Sequence, residues 1–95
     1  MTTEYSIVEI ALFDPDYRNR MKVVAVITDP DILNMIVISD EDALVRHEVV
    51  KHLKDLQTLE YVITSDKSAF VVEAAERRIQ HLVYERNSLS QRRSA

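Results

Sequence analysis

Slid along itself by 26 residues, this chain superposes on its own pattern, and that period constrains the fold more than any single motif. Residues 32–40 fall on residues 58–66, and residues 6–14 lie one period earlier. The leading apolar residue recurs as Ile7, Leu33 and Leu59, an apolar triplet follows, and the segment closes on Asp14, Asp40 and Asp66. The stretches after each Asp also align: Arg20-Met21-Lys22-Val23 matches Arg46-His47-Glu48-Val49 and Val72-Glu73-Ala74-Ala75, running to the apolar anchors Ile27, Leu53 and Ile79. A unit this short cannot bury its apolar face alone. Three copies in succession therefore predict a stack in which neighbours supply each other's core.

Each unit reads as two short helices. Asp14-Pro15 and Asp29-Pro30 place Asp at an N-cap and Pro at the first helical position, where its missing N–H is harmless. Ser39-Asp40-Glu41-Asp42 and Ser65-Asp66-Lys67-Ser68 are further cap signals. Between caps, apolar residues recur at helical spacing, as in Val45, Val49, Leu53 and in Val71, Ala75, Ile79, Leu82. Two β-branched runs, Met35-Ile36-Val37-Ile38 and Tyr61-Val62-Ile63-Thr64, would be strands on propensity alone. Their register with residues 7–12, flanked in the same way, assigns them to helices. The predicted fold is all-α, an α-solenoid of three stacked helix pairs with a right-handed superhelix. Its single domain covers residues 1–87, with units at about 4–29, 30–55 and 56–87. Residues 88–95 are polar and are expected to be a disordered tail.

The pattern Asp-x-x-x-x-Val-Arg-x-x-Val-x-x-x-Leu is clearest in Asp40-Glu41-Asp42-Ala43-Leu44-Val45-Arg46-His47-Glu48-Val49-Val50-Lys51-His52-Leu53. It resembles short HEAT-like repeats and the leucine-rich repeat variant, over about four-fifths of the chain. The 26-residue period is shorter than the roughly 40–47 residues of ordinary HEAT and armadillo units. The resemblance implies a polar ladder between successive units, built from a turn Asp and an Arg six residues later: Asp14 with Arg20, and Asp40 with Arg46. The third unit departs, since Val72 follows Asp66 at that spacing, which suits a terminal copy. It also implies a scaffold that binds other proteins.

Composition narrows the chemistry. The chain has no Gly, where an average composition would give roughly six or seven. No phosphate-cradling loop, dinucleotide fingerprint or Asn-Gly hairpin can be built. With no Cys, disulfides, thiolate ligands and a thiol nucleophile are excluded. The longest apolar run, residues 23–27, is far short of a membrane span. Residues 1–4 show no signal-peptide pattern, so a cytoplasmic location is expected. His47-Glu48 is similar to the His-Glu pairs of HEAT-like metal hydroxylases, but the equivalent positions are Met21-Lys22 and Glu73-Ala74. One pair cannot fill a coordination sphere, so neither a metal nor another cofactor is expected. Serines and threonines fall mainly at caps, and no carboxylate pair sits in an apolar setting.

The reading from sequence is thus a non-enzymatic interaction module. Its expected binding face is the row of second helices, with Arg20, Lys22, Arg46, His47, Lys51 and Arg78 meeting an acidic or mixed-charge protein partner. Incompletely covered apolar ends favour a homo-oligomer or a partner. Residues 1–72 carry net charge −6 and residues 73–95 carry +2. A nucleic-acid surface on the basic C-terminal helix is therefore one alternative, although only Tyr84 interleaves with those arginines. Enzyme-associated HEAT-like domains, of metal-hydroxylase or bilin-lyase type, are another, by analogy of fold alone. Phe13, Tyr17 and Phe70 are expected to staple neighbouring helices, and Tyr61 to pack.

Overall fold

The computed structural model describes residues 4–93, with side-chain placement over 6–89. It contains six helices: α1 (Glu4–Phe13), α2 (Tyr17–Val24), α3 (Pro30–Ser39), α4 (Ala43–Val50), α5 (Leu56–Ser65) and α6 (Ala69–Arg93). There is no strand among the described residues. Both β-branched runs lie in helices, α3 and α5. Burial of one face between neighbours outweighs the few tenths of a kcal/mol by which such residues disfavour a helix.

The 26-residue period is visible in the caps. Asp29 and Asp55 cap α3 and α5, accepting from Asp31 N at 2.9 Å and Gln57 N at 3.0 Å. Asp16 and Asp42 cap α2 and α4, accepting from Arg18 N and Leu44 N. Asp14, Asp40 and Asp66 close α1, α3 and α5, their N–H groups donating to Ile10, Ile36 and Val62 carbonyls. Pro30 opens α3 as the sequence suggests. The Asp14-Pro15 expectation is corrected: α2 starts two residues later, with Asp16 as its cap. No residue of the described chain needs positive φ, so a chain without glycine loses nothing at these turns.

Helices α1, α3 and α5 form one row, and α2, α4 and α6 a second row packed beneath it. The shortest dimension, 17 Å, fits two such layers. The core between them is continuous: Ala11, Val24, Leu33, Ile36, Val37, Val45, Val49, Val50, Leu53, Leu59, Val62, Val71 and Ala75 are all buried. Equivalent positions differ according to their neighbours. Ile36 and Val62 are buried, whereas Ile10, at the same place in the first unit, is only half-buried. Ile63 at the other end is likewise half-buried, where its equivalents Ala11 and Val37 are enclosed.

The expected tail over 88–95 is also corrected. Helix α6 runs unbroken to Arg93, 25 residues in all, and Ser94 and Ala95 lie outside the described residues. Polar composition solvates a helix without ending it, and residues 69–93 contain no Gly or Pro to stop one.

Candidate functional site

Two arginine rungs tie the units together. Arg20 faces inward from α2. Its Nε and Nη2 donate to the two carboxylate oxygens of Asp40 at 2.9 and 3.1 Å, and its Nη1 to the Asp14 carbonyl at 2.8 Å. One unit further on, Arg46 repeats the arrangement with Asp66 at 2.8 and 3.2 Å and with the Asp40 carbonyl at 2.7 Å. A planar fork facing a carboxylate is the strongest geometry available to such a pair. The ladder residues Asp14, Arg20, Asp40 and Arg46 are therefore brought together, with one refinement. Each Arg meets its own unit's Asp through the carbonyl and the next unit's Asp through the carboxylate. Asp66, left out of that set, completes it, and the alignment of Asp14, Asp40 and Asp66 already pointed there. The hydrogen bond with Asp40 raises the Arg20 pKa. Burial pushes the Asp66 carboxyl up, but the Arg46 fork and the Ser68 N–H together outweigh it and hold it below the ordinary value.

The same geometry removes most of the expected basic binding face. Arg20 is 6% exposed and cannot meet a partner. Arg46 is enclosed with Asp66. Arg78 donates through Nε to the Leu53 carbonyl at 2.8 Å. Lys51 pairs with Glu48 at 3.2 Å, and Lys22 stands exposed. The expected ladder and the expected basic face draw on the same two arginines, Arg20 and Arg46, and the rungs hold both.

His47 stacks flat on Phe70, ring centroids 4.0 Å apart and planes 5° from parallel. Burial, reinforced by the positive charge of Lys51, lowers the His47 pKa against the opposing pull of Glu48. The folded state thus favours neutral imidazole. Its contribution to stability is present above the ordinary histidine value of about 6.5 and is lost as pH falls through the lower folded value. His47→Phe should keep the stack and flatten the stability profile below about pH 6.5 in urea titrations; an unchanged profile would place that dependence elsewhere. His52 and His81 each sit one turn from a glutamate, Glu48 at 3.5 Å and Glu85 at 2.9 Å. Among the described residues no cluster of three His, Cys, Asp or Glu side chains could hold a metal ion.

The other row of helices carries what the basic face lacks. α1, α3 and α5 contain no Lys or Arg at all. All twelve basic residues lie in second helices or connections. Along this row Phe13 (76%), Met35 (50%), Ile38 (54%) and Tyr61 (53%) are exposed. Phe13 does not act as a staple and Tyr61 does not pack, contrary to the sequence expectation, because each points away from the second row. Two neighbouring grooves open beside them, one lined by Leu12, Phe13, Ser39 and Glu41, the other by Ile38, Glu41, Tyr61 and Ser65. Each has a rung at its floor, Arg20–Asp40 and Arg46–Asp66 respectively. Exposed acids, Glu9, Asp31 and Glu60, complete the face.

No protein family, curated protein or solved structure matches the chain. Among the described residues no helix is long and apolar enough to cross a membrane.

Proposed function

We propose that this chain is a non-enzymatic protein-interaction module, its helix pairs α1–α2, α3–α4 and α5–α6 stacked as a short right-handed HEAT-like solenoid. The rungs support the stacking, since each joins one pair to the next at a constant separation of 20 residues. One observation carries the functional reading: large apolar side chains stand exposed along a row of helices that has no basic residue. Exposed apolar residues gathered on one face, with polar surroundings, mark interaction surfaces. The binding face is thus the row of first helices, not the second. With Glu9, Asp31 and Glu60 around it, the face suits a partner that is apolar and basic.

Alanine at Tyr61 and serine at Ile38, both exposed, leave the core intact. Together they should weaken a captured partner by about 30-fold or more, as loss of a central anchor worth about 2 kcal/mol does. Equal capture by the variant and the native chain, measured by quantitative mass spectrometry, would refute the face assignment.

A further inference from the structure

The first-helix row asks for a basic, apolar helix, and this chain presents one. Helix α6 lies against α4 and α5 as far as Leu82, the last of its residues packed on the core. The bond from Arg78 to the Leu53 carbonyl marks the edge of the bundle, at the connection between α4 and α5. Eleven more residues carry the helix about 16 Å beyond Leu82. The inward stripe Val71, Ala75, Arg78, Leu82 keeps its spacing past that edge through Arg86 and Leu89. Beyond Leu82 it has no floor: Tyr84 is 71% exposed, Leu89 59%, and Val83 and Arg86 are exposed as well. Arg92 and Arg93 follow on the same helix. An unbroken helix without Gly or Pro cannot turn back onto its own bundle.

We propose that the projecting end of α6, residues 83–93, docks on the α1–α3–α5 face of a second copy of this chain. The inference rests on the reading of that face as an interaction surface and names its occupant. Charge selects the occupant. The projection carries Arg86, Arg92 and Arg93 against one acid, Glu85, whereas the face carries Glu9, Asp31 and Glu60 and no base. An apolar group matches too: Leu89, on the same stripe as Arg86, meets a face that exposes Met35, Ile38 and Tyr61. A projection of about 16 Å reaches across two neighbouring helices, whose axes lie about 8–10 Å apart. The two surfaces differ, so the contact is heterologous and either closes by exchange between two copies or continues from copy to copy.

Sedimentation velocity over a concentration series tests this on the full chain. Native protein should rise above monomer mass with concentration. The rise should weaken as added salt shortens the screening length from about 30 Å at 0.01 M to about 8 Å at 0.15 M. The triple variant Arg86→Glu, Arg92→Glu, Arg93→Glu changes residues that follow Leu82, the last of α6 packed on the core, and should stay monomeric with an unchanged helical circular dichroism signal. The face variant Glu9→Lys, Glu60→Lys should also be monomeric, and mixing the two variants should restore association through the exchanged charges. A native chain that remains monomeric throughout overturns the proposal, and so does a triple variant that associates as well as the native chain. If the native chain is monomeric while the Tyr61 and Ile38 substitutions still abolish capture of another protein, this inference alone falls. If those substitutions leave capture unchanged, the face reading falls with it.

Discussion

Arg46→Ala should lower the free energy of unfolding by about 3–5 kcal/mol, because it strands a buried carboxylate. The Asp66 side chain is only 6% exposed and holds its charge against the Arg46 fork. Truncation also takes a donor from the Asp40 carbonyl, which lies at the turn between α3 and α4. For a domain with a stability of about 5–15 kcal/mol, such a loss approaches global unfolding. Asp14→Ala provides the contrast. Its carboxylate accepts from Asp16 N at 2.8 Å and from Asn19 Nδ2 at 3.3 and 3.4 Å, but faces no arginine fork. Loss of those bonds should cost about 0.5–2 kcal/mol, the range of an ordinary cap. Urea unfolding of the two variants separates the cases: similar losses would mean that the rung contributes nothing beyond its turn.

Leu59→Ala should cost about 2–5 kcal/mol, since its side chain is fully enclosed and its removal leaves a cavity. Ile7 holds the same place in the first unit but is only half-buried. Ile7→Ala should therefore cost well under half as much, as a site open on one side leaves less empty volume behind. The comparison isolates the neighbour's contribution, because local sequence position within the unit is held constant. Equal losses, measured by thermal and urea unfolding, would mean that the units stand on their own cores and not on each other.

Much of this architecture is written in spacing. The apolar triplets and their Asp terminators place α1, α3 and α5, and the recurrence overrides the strand propensity of Met35–Ile38 and Tyr61–Thr64. Asp29-Pro30 places the start of α3 to the residue. Asp14-Pro15 misleads, because a cap needs a following N–H two or three residues on. The Asp14 carboxylate accepts from Asp16 N within the turn after α1, and it is Asp16 that accepts from Arg18 N and caps α2. The length of α6 was hidden by its composition, since Ser88-Leu89-Ser90-Gln91 reads as solvated chain although nothing in it terminates a helix. The basic face of the second helices loses much of its free charge for a different reason. Arg20 and Arg46 count both toward the ladder that the resemblance implies and toward the basic face, and packing commits them to the ladder, with the next unit's carboxylate as partner. The absence of Lys and Arg from all three first helices is legible in the sequence, but it acquires meaning only when those helices lie side by side.

The rungs also bear on how such a chain can change length. Each middle unit supplies both halves of a connection, a carboxylate for the arginine before it and an arginine for the carboxylate after it. Removing residues 30–55 as a block would set Arg20 at the same 20-residue distance from Asp66 that it now holds from Asp40. Duplicating the block would add one rung and alter none. The unit therefore behaves as an interchangeable part with a plug and a socket. On the reading of the chain as stacked repeats, a gain or loss of whole units keeps every remaining arginine opposite a carboxylate, as long as Val72 remains the stop at its end.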